Sequence, residues 1–179
     1  AARVRHGVNN FNILLHLLER SVCYGKAERG LVWNQYRIKV LEGLDFGEGI
    51  PKAWIGMYAR ICLSTASALC GSGQKEEGYA YLEKTIALMK QWKAFKDGEA
   101  LELGDQWMFG GLKYIKGKGI LELEDGTREP ISNSWIMEAN QDMLYYALTM
   151  PKGYEWFDEV RGEERFRDLV ERARELAEE

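Results

Sequence analysis

The stretch TASALCGSGQKEEGYAYLEKTIAL, residues 65–88, decides the fold because it joins two helical patterns through a short turn. The first pattern begins upstream of the stretch, and its apolar and small residues recur at helical spacing: Trp54, Met57, Tyr58, Ile61, Thr65, Ala68 and Leu69. CGSGQ, residues 70–74, ends this helix, and a second helix is predicted from about residue 75 to residue 95. Helices joined by a short loop pack as antiparallel neighbours, so the stretch predicts a helical hairpin.

The second helix of this hairpin has two apolar faces. One face carries Tyr79, Leu82, Ile86 and Met89, and the other carries Tyr81, Leu88, Trp92 and Phe95. A helix that is apolar on two sides packs between neighbours, so we expect further elements on both sides of it.

The sequence predicts helices before this hairpin and both strands and helices after it. Two amphipathic helices are expected over residues 9–24 and 26–44, and helix resumes at about residue 134 with Ser134 as its cap. Residues 103–132 instead alternate apolar and polar side chains, as half-buried strands do. The KGKG sequence at 116–119 links two strands, Asp125-Gly126 favours a type I′ hairpin turn, and Pro130 places the last strand at an edge.

The predicted fold is therefore mostly α: antiparallel helical hairpins with a small three-stranded antiparallel β insertion and C-terminal helices. We expect one globular unit with a helical region at 1–102, a β-meander at 103–132 and closing helices at 133–179. The insertion would cap the helices by covering the face that bears Trp92 and Phe95.

The net charge, the cysteines and the lengths of the apolar runs exclude some classes of function. The 179-residue chain has a formal net charge of −4 and a pI near 5.4, which argues against a mainly electrostatic nucleic-acid binder. The three cysteines are odd in number, form no CxxC pair and lie in apolar helical patterns. This favours buried free thiols in a reducing compartment over disulfides or zinc ligands. No apolar run is long enough to predict a transmembrane helix, so we expect a cytoplasmic protein without membrane contact.

Residues 65–88 resemble a tetratricopeptide repeat, in which small residues let two helices approach closely. The residues that carry the resemblance are Ala66, Leu69, Gly73, Gly78, Leu82 and Thr85. Alanine is usual at two of these positions, and the closing proline of the motif is absent. The resemblance implies tetratricopeptide-like hairpins, with the first two helices as a diverged partner of the recognisable repeat.

GDQWMFGGLK (104–113) and YALTMPKGYEWFDEVRGEERFRDLVERA (146–173) look like the C-terminal region of XRE-type helix-turn-helix transcriptional regulators of Firmicutes. In that family a DNA-binding domain precedes a tetratricopeptide-like region. No helix-turn-helix motif is visible in this chain, so the resemblance implies that DNA binding belongs to a preceding domain. This chain would then sense an effector, dimerise or bind a partner.

Catalytic motifs are missing from the sequence. The two histidines, His6 and His16, lie in no HExxH pattern, and no GxSxG, phosphate-loop or dinucleotide glycine pattern occurs. We therefore expect a non-catalytic protein without metal or cofactor. An enzyme with dispersed carboxylates is the remaining alternative class.

The many aromatic residues are the best candidates for function. They form either a core where the helices meet the hairpin or an aromatic-lined groove for a ligand. Polar groups such as Asn34 would serve a peptide backbone in such a groove. The hypothetical groove consists of Trp33, Asn34, Arg37, Arg60, Trp92, Trp107 and Phe109.

The leading functional hypothesis is a protein-interaction or effector-sensing module of a bacterial transcriptional regulator. Its ligand would be a peptide, a protein, a small molecule or a second copy of the chain. The alternative is a stand-alone tetratricopeptide-like scaffold that binds a peptide or protein and has no DNA role.

Overall fold

A computed structural model describes residues 7–16, 26–45, 47, 49–104, 109–131, 134, 137–150 and 154–178. The fold is mostly helical, with a small antiparallel sheet. Residues 7–16 form helix α1. The other helices are α2 (Ala27–Glu42), α3 (Ile55–Gly71), α4 (Lys75–Ala94), α5 (Gln141–Thr149) and α6 (Glu164–Glu178). Short 3₁₀-helices cover Lys52–Trp54 and Glu155–Glu159.

Helix α3 is the centre of the molecule. Almost every residue from Ile55 to Cys70 is buried, including the polar Ser64, Thr65 and Ser67. The helix packs against α2, α4 and the 3₁₀-helix Glu155–Glu159. A helix that is packed between neighbours on several sides carries mostly apolar and small side chains around its circumference.

The predicted hairpin of α3 and α4 is confirmed, and Gly78 explains how closely the two helices approach. A Cβ at Gly78 would lie 2.6 Å from the sulfur of Cys70 and 3.2 Å from the carbonyl oxygen of Ala66. A side chain at position 78 would therefore require Cys70 to move, and the two helices cross closely at this glycine.

The sheet differs from the prediction in strand number. Within the described residues it has four strands in the order β1-β2-β3-β4: Ala100–Glu102, Lys113–Ile115, Ile120–Glu122 and Arg128–Pro130. The prediction of three strands was wrong because Ala100–Glu102 pairs antiparallel with β2. Residues 109–111, which were expected to be part of a strand, form a turn in which Gly111 has a φ of +73°.

The register places apolar residues on one face of this sheet. Leu101 pairs with Tyr114, and Tyr114 pairs with Leu121, so three buried side chains lie side by side across the strands. A turn with exposed Asp125 and Gly126 is confirmed at the predicted place, but its type differs from the predicted type I′. The N–H of Leu123 donates to the carbonyl oxygen of Thr127 and that of Gly126 to the carbonyl oxygen of Leu123, so the loop has three residues and ends on Gly126 at a φ of +79°. Pro130 lies in the edge strand β4, as predicted.

Helix α5 starts later than predicted. It begins at Gln141 rather than near Ser134, and Glu138, Ala139 and Asn140 precede it in non-helical conformation. The backbone before α5 approaches α3 closely, because a Cβ at Gly56 would lie 2.2 Å from the carbonyl oxygen of Met137. The segment before α5 therefore packs directly on the start of α3.

Helix α6 closes the structure by burying one stripe: Phe166, Leu169, Ala173 and Leu176. Arg172 on its outer side pairs with Glu83 of α4 at 2.7 Å, and Lys93 of α4 donates a hydrogen bond to the carbonyl oxygen of Leu176. Among the helices that the structure describes, none is long and apolar enough to cross a membrane.

Candidate functional site

A cavity of about 700 Å³ lies where the helical hairpin meets the sheet. Arg60 of α3 and Trp92 of α4 line one part of it. The β2–β3 turn, residues 116–119, lines another part, together with Tyr114 in the middle of β2 and Asp97 between α4 and β1. The segment before α5 and the first turn of α5 complete the lining with Ser134, Glu138, Ala139, Asn140 and Met143.

The β2–β3 turn needs glycine at two positions. Gly117 and Gly119 have φ values of +70° and +62°, in the left-handed region that glycine tolerates best. A Cβ on Gly119 would also lie 2.6 Å from the hydroxyl oxygen of Ser134. The alternation of lysine and glycine in KGKG thus reflects a turn that approaches the 134–140 segment closely.

Glu138 connects this turn to the sheet and to α5. Its Oε1 accepts hydrogen bonds from the backbone N–H of Gly117 at 2.9 Å and from the hydroxyl of Tyr114. Burial raises the pKa of Tyr114 well above its usual value, and the hydrogen bond to Glu138 raises it further. Tyr114 therefore stays a neutral donor, which is the form that a carboxylate partner needs.

Lys116 is a nearly buried cation in the lining of the cavity. Its Nζ donates to the carbonyl oxygen of Phe95, which follows the last residue of α4. It also lies 5.5 Å from the centre of the Trp92 ring and 3.8 Å from Oδ1 of Asp97. A cation at a helix C-terminus and over an aromatic face is favourable on both counts. Lys116 thus attaches the β2–β3 hairpin to the end of α4.

Two further cations line the cavity from different elements. Arg60, on α3, is half-buried, and its Nη1 lies 3.4 Å from the sulfur of Met143. Lys118, in the β2–β3 turn, is exposed. The lining of the cavity therefore includes a guanidinium and an exposed ammonium group.

The residues of the hypothetical groove are not gathered into one site. Arg60 and Trp92 share the cavity. Phe109 instead packs against Trp54, with ring centres 5.6 Å apart, and Trp33 lies half-buried beside Tyr36. Trp107 lies outside the described residues.

Asn34 and Arg37 are core residues between α2 and α3. Asn34 is fully buried; it donates to Oγ of Ser64 at 2.7 Å and accepts from Nη1 of Arg37 at 3.0 Å. Neither residue lines the cavity, so both belong to the packing of α2 on α3 and not to the candidate site.

Tyr114, Lys116 and Glu138 line the cavity although none of them was predicted as a site residue. The KGKG sequence was recognised only as a link between strands, and Glu138 was assigned to a helix. The two closely spaced turn glycines were the signal that could have found the site, since they indicate a backbone that another segment approaches.

The buried thiols of Cys62 and Cys70 are poor nucleophiles. Burial raises the pKa of Cys62 to about 12 and that of Cys70 to about 11, so both are protonated at neutral pH. No cluster of three or more histidine, cysteine, aspartate or glutamate side chains suited to a metal ion occurs within the described ranges. The lining of the cavity combines charged groups, the Asn140 amide and aromatic surface.

No protein-family model, no curated protein and no solved structure matches this chain.

Proposed function

We propose that this chain is a non-catalytic effector-sensing module that binds a small molecule in the cavity between α3, α4 and the β2–β3 turn. The observation that carries the proposal is the cavity itself. Its volume of about 700 Å³ is in the range of small-molecule sites, and aromatic and charged side chains converge on it.

The lining of the cavity supports a sensing role because it comes from three different parts of the fold. A ligand that touches Arg60, Lys118 and Asn140 at once contacts the helical hairpin, the sheet and the start of α5. Such a ligand shifts their relative arrangement only if it binds one arrangement better than another.

In the same proposal, α3 and α4 form a tetratricopeptide-like hairpin, and the module belongs to a bacterial cytoplasmic regulator of the XRE type. DNA binding would reside in a domain that precedes this chain. The close crossing at Gly78 supports the hairpin part of the proposal, and the acidic charge of the chain is consistent with DNA binding elsewhere.

A stand-alone scaffold that binds a protein or peptide is the second candidate, and a surface on α2 favours it. Val32 and Tyr36 are 49% and 56% exposed, and the ring of Tyr36 lies 6.1 Å from that of Trp33. Exposed apolar side chains at one site of a helix suit a partner surface.

Ligand screening with two matched variants tests the sensing proposal. A panel of amino acids, sugars, organic acids, nucleotides and polyamines is screened by thermal shift and by NMR chemical-shift mapping. Asn140→Trp fills the cavity from an exposed position, and Asp142→Trp adds the same bulk on an exposed residue outside the cavity. Binding to the wild type and to Asp142→Trp, but not to Asn140→Trp, supports the proposal.

Equal binding to both variants, or no binding by any compound, contradicts the sensing role. The regulator part is tested by the coding sequence upstream of Ala1 and by a gel-shift assay of the complete gene product. A methionine codon directly before this segment, with no helix-turn-helix region, would refute it.

A further inference from the structure

We infer that the outer side of α2 binds the α2 helix of a second copy of this chain, with the two helices antiparallel about a two-fold axis. The contact surface, which we call the α2 face, consists of Glu28, Val32, Tyr36 and Lys39, all of which are exposed. The α2 face lies outside the cavity lining, so the inference does not depend on a ligand there.

The centre of the α2 face is apolar although solvent reaches it. Val32 is 49% exposed and Tyr36 is 56% exposed. The two residues are four positions apart, so they lie on the same side of the helix. Trp33 lies half-buried beside them, with its ring 6.1 Å from that of Tyr36. Neighbouring exposed apolar and aromatic side chains are typical of the core of a protein interface.

The inner side of α2 is held on α3, so the α2 face has a fixed orientation. Asn34 donates to Oγ of Ser64 at 2.7 Å, and Glu42 accepts a hydrogen bond from the hydroxyl of Tyr58 at 3.0 Å. These contacts prevent the helix from rotating to bury its outer apolar pair within the chain. A surface that is held in place before binding also loses little conformational freedom when a partner arrives.

The charged residues of the α2 face fit a second copy of the same face. Glu28 lies in the first turn of α2 and Lys39 in the last turn. They are about three helical turns apart, which places both on one flank of the apolar pair. In a two-fold contact, each residue of one copy meets its counterpart's partner in the other. Glu28 of each copy therefore lies opposite Lys39 of the other, and two ion pairs form together.

One two-fold axis serves both the charged and the apolar contacts. The midpoint between Glu28 and Lys39 lies within one residue of the midpoint between Val32 and Tyr36. An axis there also packs Val32 of each copy against Tyr36 of the other. Arg29 lies on the opposite flank from Lys39, so these like charges do not meet. The helix dipole favours an acid in the first turn and a base in the last turn, but it does not require them on the same flank.

A comparable apolar pair on α5 lacks this charge pattern. Tyr146 and Met150 are 57% and 49% exposed and are also four positions apart. Helix α5 contains the acid Asp142 and no basic residue. An antiparallel copy of α5 would therefore bring no opposite charges together, and its apolar pair is a matched control for that of α2.

Sedimentation equilibrium of this chain from about 5 µM to about 500 µM tests the inference. We expect a reversible equilibrium between monomer and dimer, because one pair of helices forms a small interface. Tyr36→Glu should raise the dissociation constant of the dimer by about tenfold or more, since it places a charge at the centre of the contact. Tyr146→Glu makes the same change at a tyrosine of nearly equal exposure and should leave the constant unchanged. Circular dichroism checks that each variant is folded.

Charge reversal tests the antiparallel arrangement. Lys39→Glu places a carboxylate opposite Glu28 of the second copy and should weaken the dimer by about fivefold or more, because like charges then meet twice across the axis. Combining Glu28→Lys with Lys39→Glu exchanges the two charges and restores opposite signs at both contacts. This double variant should recover most of the affinity that Lys39→Glu loses.

Three results would overturn the inference. The first is a monomer at every concentration, which would leave the α2 face to a protein of different sequence, as the scaffold candidate requires. The second is a dimer that Tyr36→Glu and Tyr146→Glu weaken equally. The third is a double variant that recovers no affinity, because the two copies are then not antiparallel. None of these results concerns ligand binding in the cavity, so the sensing proposal would stand or fall separately.

Discussion

The carboxylate of Glu138 and the backbone N–H of Gly117 lie 2.9 Å apart and form a hydrogen bond between the segment before α5 and the β2–β3 turn. The same oxygen accepts the hydroxyl of Tyr114, so one side chain holds a turn, a strand and the approach to a helix. A hydrogen bond to a charged group is stronger than one between neutral groups. Glu138 therefore joins three segments that line the cavity.

Replacing Glu138 should loosen this junction. Glu138→Ala removes both hydrogen bonds and should lower the free energy of unfolding by about 2 kcal/mol. Tyr114→Phe removes one of them and should cost about 1 kcal/mol. Urea denaturation measures both, and Glu102→Ala, at an exposed glutamate of β1, should change stability by less than about 0.5 kcal/mol. Equal effects of Glu138→Ala and Glu102→Ala would show that the junction contributes nothing.

Asn34 should be a stability residue, in contrast to its predicted role in a groove. Asn34→Ala removes the acceptor of Arg37 and the donor to Ser64 in a buried site, at a cost of about 3 kcal/mol. Gln35→Ala, at the exposed neighbouring position, should be nearly neutral. Thermal and urea unfolding give the comparison. A stable Asn34→Ala variant that loses ligand binding would instead restore the groove hypothesis.

The hairpin of α3 and α4 could be predicted because its determinants are local: apolar spacing, a glycine-rich turn and a small residue at Gly78. The turn at Asp125-Gly126 was predictable for the same reason. Strand β1 was missed because Ala100–Glu102 precedes the alternating stretch 103–132, and only its pairing with β2 makes it a strand. Elements whose determinants lie within a short stretch of sequence were predicted, and an element that depends on pairing with another strand was missed.

The candidate site was predictable only in part. Arg60 and Trp92 were named, but they were grouped with residues of α2 that the structure buries elsewhere. Glu138 could not be found because its role arises from a contact with Gly117, which is 21 positions away in the chain. Sequence periodicity indicates which face of an element is buried, and it does not indicate which loop lies against that face.

Gly56 should tolerate no side chain. A Cβ there would lie 2.2 Å from the carbonyl oxygen of Met137, 3.1 Å from the amide nitrogen of Ala139 and 3.2 Å from the Trp92 ring. Since two of these atoms are backbone, Gly56→Ala must shift the segment that lines the cavity, and we expect a loss of about 2–3 kcal/mol. Gly162→Ala, where nothing lies within 4 Å, is the control and should be nearly neutral. Similar melting temperatures for both variants would contradict the close packing of this segment.

Acid should weaken the contact between α4 and the start of α6 through Glu163. Lys75 and Tyr79 each donate to its carboxylate at 2.7 Å, and these hydrogen bonds hold the pKa of Glu163 below its usual value of 4.5. A lowered folded-state pKa means that the stabilisation is complete above the usual value and is lost as the pH falls through the folded-state value. Denaturation midpoints between about pH 6 and pH 3 should therefore fall less steeply in Glu163→Gln than in the wild type. Asp168→Asn, at an exposed acid of α6, should leave the slope unchanged; the same slope in all three proteins would exclude the linkage.

Arg161 should stabilise the fold because its guanidinium caps the C-terminal end of α5. Its guanidinium donates to the carbonyl oxygens of Leu148, Met150 and Tyr154, which lie at and beyond the last turn of that helix. These carbonyls have no partner within the helix, and a cation there is also favoured by the helix dipole. Arg161→Ala should cost about 2 kcal/mol in urea denaturation. Arg161→Lys should recover only a fraction, because a lysine ammonium cannot present the planar fork of donors. Arg167→Ala, at an exposed arginine of α6, provides the matched loss of charge and should have little effect. If Arg161→Lys were as stable as the wild type, charge alone would hold the end of α5, and the multiple hydrogen bonds would be dispensable.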